Sequence, residues 1–267
     1  MDYQHHLNFM LLMAEKASHI MMDNFRGSFQ SYTKPDKSIV TDVDLTISSL
    51  WQAELKAYNK QIGLYSEEYD DKSIRPNTHY FVVDELDGTS YFAAGEPGFS
   101  HQVAFFDHRQ GLIIGVLAFP LEQITLFAVK GQGAFIIQNG QTSPLTPPAP
   151  KSPDNIIYGV PARYQGDKYH LLLDSLAFPP QKVIKTNALR TLLMAKAELD
   201  VNIFLLPKIE AWDWAGEKVI IEELGFNHSY LNGLPIYFGV QPPPDNLGYL
   251  LCQKQLTNWL VNAITGN

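Results

Sequence analysis

Four short stretches of this 267-residue chain place carboxylates where carboxylates do chemistry. The most informative is Phe81-Val82-Val83-Asp84-Glu85-Leu86-Asp87-Gly88-Thr89. A hydrophobic strand ends there in two aspartates three residues apart, followed by Gly-Thr. Carboxylates converging at a strand end repel one another unless a cation or a proton sits between them. An Asp-Gly turn closing the strand accounts for Asp87-Gly88 but leaves Asp84 unexplained. The second stretch is Ser66-Glu67-Glu68, after the apolar run Ile62–Tyr65; alone it reads as a solvated loop. The third is Thr41-Asp42-Val43-Asp44, whose Thr41-x-x-Asp44 spacing also fits a helix capping box. The fourth, Trp212-Asp213-Trp214-Ala215-Gly216, opens a helix, where an aspartate also complements the macrodipole.

Each stretch alone is weak. Together they supply carboxylates at four places with almost no thiolate or histidine partner, and all-oxygen ligation selects a hard cation, Mg²⁺ before zinc. Charge points the same way. The chain carries 28 acidic and 20 basic residues, a net charge of −8, and no Lys/Arg run. Such a chain repels nucleic acid and anionic lipid. A bound cation reconciles it with an anionic substrate, and two such ions can clamp the attacking and leaving oxygens of a phosphoryl transfer.

The elements that must hold these residues follow from periodicity. Residues 3–26 read as one helix, with Leu7, Met10, Ala14, Ala17 and Met21 at helical spacing before Gly27. A second helix is predicted at about 43–59. Strands are predicted at Tyr80–Val83, Phe99–Phe106, Leu112–Phe119, Gln123–Val129 and Ala134–Gln138. The short turns between them imply an antiparallel meander. Five prolines in Thr142–Pro153 mark the best boundary. Beyond it, strands (Asn155–Val160, Lys182–Lys185, Val201–Leu205, Pro235–Val240, Tyr249–Cys252) alternate with helices (Tyr169–Leu176, Ala188–Glu198, Trp212–Leu224, Gln255–Ile264). The expected division is residues 1–145, an α+β domain with the meander, and 154–267, an α/β domain completing the site, joined by 146–153.

Composition excludes several classes. With 45% hydrophobic and 18% charged residues, the chain is neither disordered nor a disulfide framework. Its single cysteine, Cys252, fits a reducing compartment. Leu7–Ala14 has no basic residues before it and no cleavage pattern after it, so it reads as helix rather than signal peptide. The run Leu112–Leu121 contains Gly115 and Pro120 and is too short to span a bilayer. A soluble cytoplasmic protein is expected, with no nucleic-acid or membrane partner.

The order Thr-Asp helix start, Glu-Glu, Asp-x-x-Asp-Gly-Thr and Trp-Asp before a helix is similar to the inositol monophosphatase superfamily. The resemblance covers nearly the whole chain and is closest from about residue 39 to 140. It implies a layered α/β/α/β/α sandwich and a Mg²⁺-dependent, lithium-sensitive phosphomonoesterase acting on a small phosphorylated metabolite. Glu67, Asp84, Asp87 and Asp213 match the metal carboxylates, and Leu86 matches a residue whose backbone carbonyl also touches a metal. Thr89 and Asp44, with Glu67, match the groups that activate water. Gly88 and Thr89 match the turn whose amides receive phosphate. A homodimer is also implied. The default substrate is a phosphorylated polyol such as inositol monophosphate; a 3′(2′),5′-bisphosphate nucleotide, a sugar phosphate and histidinol phosphate are alternatives.

Departures from the family pattern are informative. Glu85 stands where proline is usual, and Ser66 where glycine is common. Lys185-Thr186-Asn187-Ala188-Leu189 lacks the usual small residues, and Gly225-Phe226-Asn227 replaces a double glycine. Glu210 is a candidate contact for a substrate hydroxyl, with a surface acid the plain alternative. A haloacid-dehalogenase-type site needs an aspartate nucleophile where Glu85 stands, which weighs against it. A non-catalytic family member is motivated by the altered second half and opposed by the complete carboxylate set. His5-His6 read as solvent-facing, His101 as a satisfied sheet residue, Trp212 and Trp214 as packing, and Cys252 as a buried inert thiol.

Overall fold

The computed structural model describes residues 3–35, 37–161, 181–184, 187–205, 209–243, 246 and 248–265. Helix α1 (Gln4–Asn24) and helix α2 (Asp42–Tyr58) form the outer layer, with the short antiparallel pair β1 (Ser31–Thr33) and β2 (Ile39–Thr41) between them in the chain. The next layer is a seven-stranded sheet in chain order. Its strands are β3 (Gly63–Ser66), β4 (Tyr80–Asp87), β5 (Ser100–Asp107), β6 (Gly111–Phe119), β7 (Ile124–Val129), β8 (Ala134–Gln138) and β9 (Gln141–Pro144). Only the β3–β4 pair is parallel; the rest is the antiparallel meander its tight turns require.

The second half supplies a five-stranded mixed sheet in the order β11-β10-β12-β14-β13. These strands are β10 (Tyr158–Pro161), β11 (Gln181–Ile184), β12 (Val201–Phe204), β13 (Phe226–Tyr230) and β14 (Tyr249–Gln253). Helix α3 (Thr89–Ala93) follows β4; helices α4 (Asn187–Ala195) and α5 (Ala215–Glu223) lie between the two sheets, and α6 (Thr257–Thr265) covers the outer face of the second.

Alternation along β4 shows how the layers form. Phe81 and Val83 face α1 and α2, packing with Met10, Ile47 and Trp51, whereas Tyr80 and Val82 face Trp214 and Ala215 on the inner side. Both faces of the strand are buried, so it reads as a continuous apolar run rather than an alternating one. A second cluster joins Leu117, Leu126 and Phe119 of the first sheet to Leu192, Ile220 and Leu224 of α4 and α5. A third packs Ile203, Leu250 and Cys252 against Leu256 and Leu260. This gives the α/β/α/β/α sandwich that the resemblance implies.

Several expected elements differ in detail. Pro235–Val240 is not a strand: Pro235 makes one isolated bridge with Ser229, and the chain then turns at Gly239, where φ is +78°. Proline has no N–H to give a ladder, and Val240 N–H instead closes a turn on Tyr237 O. The expected helix Trp212–Leu224 is split at Trp214 into a 3₁₀ turn, Ala211–Asp213, and α5. The proline-rich stretch begins inside β9, which pairs with β8. The helix expected at Tyr169–Leu176 and the residues Lys185 and Thr186 lie outside the described residues. Among the described residues, no helix is long and apolar enough to cross a membrane.

Candidate active site

Strand β4 delivers the central carboxylates. It continues four residues past its apolar run because β5 pairs with it through Asp84–Gln102 and Asp87–Ser100, with an irregularity between. That break in register lets Asp84 and Asp87 turn toward the same region instead of alternating. Asp213 arrives from the 3₁₀ turn before α5. One carboxylate oxygen from each of Asp84, Asp87 and Asp213 lies within 4.8 Å of the others.

Each aspartate is held from behind. Asp84 Oδ1 accepts Leu86 N–H at 3.1 Å. Asp87 Oδ2 accepts the Ala188 N–H at 2.9 Å and the Ser100 hydroxyl at 3.4 Å. Asp213 Oδ2 accepts Glu210 N–H at 3.2 Å, while the Glu210 side chain caps the same turn. Electrostatics shows the strain of the grouping. Burial, then repulsion from Glu67, Asp87 and Asp213, pushes Asp84 well above the usual carboxylate range. Burial, then Asp87 and Glu67, pushes Asp213 up to about 7. Three oxygen-only ligands that resist being charged together are a donor set a hard divalent cation fits.

Thr89 links this cluster to α2. Its hydroxyl lies 2.9 Å from Leu86 O and 3.2 Å from Asp44 Oδ1. The other Asp44 oxygen accepts Thr41 N–H at 2.8 Å and the Thr41 hydroxyl at 2.5 Å. The expected capping box is therefore present, and it leaves Oδ1 for Thr89. Burial raises Asp44 to about 6 against those hydrogen bonds. Gly88 caps α3 at φ +84°, a conformation glycine adopts without penalty.

Glu67 stands at the edge of the three-aspartate group. Its Oε1 pairs with Lys34 at 3.1 Å, and Lys34 also holds Glu68 at 2.5 Å. Burial raises Glu67 while Lys34 opposes the shift. Lys72 grips the same loop through the carbonyls of Ser66, Glu67 (2.9 Å) and Tyr69, and sits 4.9 Å over the Trp212 ring. Neither lysine stands out in the sequence. Each approaches from a segment without a motif of its own, and Lys34-Pro35 reads only as a turn.

Glu85 does not face the aspartates. It is buried and accepts the Ser66 hydroxyl at 2.8 Å, so two of the departures from the family pattern bond to each other. His101 is satisfied at both nitrogens, Nδ1 at 3.1 Å from Glu85 O and Nε2 accepting from Trp51 at 3.3 Å, as expected of a sheet residue. Cys252 is fully buried and burial raises its thiol to about 11.

A layered sandwich that gathers three aspartates at one strand end has the donor set of a hard-cation site. The comparisons agree: residues 2–263 match the inositol monophosphatase family. A histidinol-phosphatase of Chlorobaculum parvum is 27% identical over 231 residues, 82% of this chain and 83% of that protein. The 3′(2′),5′-bisphosphate nucleotidase CysQ of Aggregatibacter actinomycetemcomitans is 25% identical over 258 residues, 96% of this chain and 95% of that one. A solved IMPase/NADP phosphatase complexed with Mg²⁺ and phosphate superposes with a TM-score of 0.83 at 20% identity, covering 99% of this chain and 96% of that one. The chain belongs to the inositol monophosphatase family, and it is an enzyme, a phosphoric monoester hydrolase.

Proposed function

We propose that the chain is a Mg²⁺-dependent phosphomonoesterase for a small phosphorylated metabolite, with its metals on Glu67, Asp84, Asp87, Asp213 and the Leu86 carbonyl. The observation that carries this is the grouping of Asp84, Asp87 and Asp213 within 4.8 Å. Bound there, Mg²⁺ supplies positive charge to the phosphate oxygens and acidifies water. The rest of the work falls to the chain. The Gly88–Thr89 turn and the first amides of α3 receive the phosphate. Thr89 Oγ1 takes a proton from the attacking water as it passes its own to Asp44 Oδ1, 3.2 Å away. Asp44, raised to about 6, is poised to hold that proton near neutrality. Water attacks phosphorus in line, the P–O bond to the alcohol breaks with its electron pair on the leaving oxygen, that oxygen takes a proton from solvent, and no phosphoenzyme forms.

A cavity of about 210 Å³ lies beside the turn that carries Asp213, lined by Tyr65, Lys72, Glu210, Trp214, Tyr237 and Phe238 among others. Glu210 lines this cavity three residues before Asp213, where its side chain also caps the turn.

The test is phosphate release from inositol 1-phosphate, adenosine 3′,5′-bisphosphate, fructose 1,6-bisphosphate and histidinol phosphate, with and without Mg²⁺, beside Asp84→Asn. Mg²⁺-dependent release that falls at least about a hundredfold in the variant is expected, as when one charge-stabilising group is lost. Near-normal turnover by Asp84→Asn would overturn the site. Silence across the panel from folded, Mg²⁺-binding protein would favour a substrate outside the panel or a non-catalytic role.

A further inference from the structure

At the opposite end of β4 from the aspartates lies a second group of metal-ligating side chains. His79 immediately precedes β4, and Asp107 and His108 form the turn that closes β5. One ligand atom from each lies within 4.8 Å of the others. We propose that His79, Asp107 and His108 form a separate binding site for a borderline divalent ion of the zinc class. Two imidazoles and one carboxylate suit zinc, nickel or copper rather than Mg²⁺, and three protein ligands leave positions for water. Along the strand this site lies roughly 15–25 Å from the aspartates, so it does not share their ions.

The local chemistry is poorly satisfied without a cation. His79 Nδ1 faces the His108 N–H at 3.4 Å, which gives it a lone pair, yet Asp107 Oδ2 stands 3.6 Å from the same nitrogen. Two electron-rich atoms confront one another there. His108 Nδ1 is buried with no hydrogen-bond partner. Asp107 is buried and preset as a carboxylate: Oδ1 accepts Arg109 N–H at 2.8 Å and Gln110 N–H at 3.2 Å, and Oδ2 accepts the Tyr3 hydroxyl at 3.0 Å. Burial alone would raise it, but these hydrogen bonds hold it below the usual range. An ion with bonds of about 2.0–2.2 Å needs its ligands some 3.4 Å apart, so the cluster must close by an ångström or so. Ligation through His108 Nδ1 puts that ring's proton on Nε2. The exposed Arg109 side chain, which donates to Nε2 at 3.2 Å, would then swing out. His6 is committed elsewhere, with Nδ1 2.7 Å from the Tyr58 hydroxyl and its ring stacked on Phe105.

The experiment is zinc titration against a competing chelator, with Mg²⁺ in saturating excess to occupy the carboxylate centre. It uses the full chain and the variants His79→Ala, His79→Gln, His108→Ala and Asp84→Asn. One zinc equivalent that Mg²⁺ does not displace is expected for the unaltered chain and for Asp84→Asn. The His79 and His108 variants should bind zinc at least tenfold more weakly while keeping their circular dichroism and their Mg²⁺-dependent phosphate release. His79 is partly exposed, so its two variants guard against loss of folding. Cobalt offers a second readout: ligand-field absorption from nitrogen-coordinated Co²⁺ should appear in the unaltered chain and be absent from His79→Ala. Undiminished zinc binding by the histidine variants, or no Mg²⁺-resistant zinc at all, would overturn the proposal.

Discussion

At the scale of single residues, two of the positions at which this chain departs from the family pattern act as one. Glu85 is a buried acid in place of a proline, and it survives because Ser66, itself in place of a glycine, donates to Oε1 at 2.8 Å. The other oxygen, Oε2, is buried without a partner. Burial raises Glu85 to about 7, with the Ser66 and Ser48 hydroxyls pulling the other way. The folded chain therefore holds this proton more tightly than the unfolded chain does. Its stabilising effect is complete below the unfolded carboxyl range near 4.5 and disappears as pH climbs through 7. Glu85→Gln should accordingly match the unaltered chain in urea unfolding at pH 5 and exceed it at pH 8, by on the order of 3 kcal/mol. Chelator-treated protein is required, because a bound cation would add its own charge. An equal difference at both pH values would show that Glu85 does not hold the proton.

At the scale of elements, the placement of Asp213 depends on two glycines at the contact between α5 and the first sheet. A Cβ on Gly115 of β6 would meet Gly216 O at 2.1 Å, and one on Gly216 would meet Val103 O at 3.0 Å. Helix and strand approach backbone to backbone, and Asp213 lies three residues before Gly216. Gly115→Ala should lift the start of α5, costing about 1–3 kcal/mol as overpacking does, and should raise the Mg²⁺ concentration for half-maximal phosphate release. Unfolding and Mg²⁺ dependence indistinguishable from the unaltered chain would mean that α5 has slack. Little of this contact is visible in a one-dimensional pattern. The helices α1 and α2 and the meander were legible because their periodicity is local. Strand β4 was read only as far as Val83, since nothing near Asp84–Asp87 favours a strand and the pairing with β5 decides it. Strand β13 was missed because Asn227, His228 and Ser229 are polar, although His228 and Ser229 are buried. The carboxylate grouping was legible as a motif order, whereas Lys34, Lys72 and the Ala188 amide reach it across the fold.

At the scale of the molecule, the boundary suggested by the prolines is crossed by buried contacts. Asp87 of the first half takes the Ala188 N–H of α4 at 2.9 Å. One hydrophobic cluster contains Leu117 and Leu126 from the first sheet and Leu192, Ile220, Phe226 and Leu251 from the second half. Between the sheets, Arg190 and Glu217 form a fully buried pair at 2.5 and 2.6 Å, Thr191 donates to the same carboxylate at 2.7 Å, and Arg190 lies 4.1 Å over the Phe204 ring. Each half has a cluster of its own, but a half stripped of its neighbour would expose this shared layer. The chain is expected to unfold in one calorimetric transition, with tryptophan fluorescence and far-ultraviolet circular dichroism changing together. Glu217→Gln keeps the shape of the pair and removes the charge bonded to the buried Arg190. Breaking such a pair costs about 3–5 kcal/mol, which in a chain of this size lowers the melting temperature by roughly 10 °C. Because the pair lies in the shared layer, that shift should move the single transition as a unit. A variant whose trace splits into two transitions, one of them unmoved, would show that the halves fold independently.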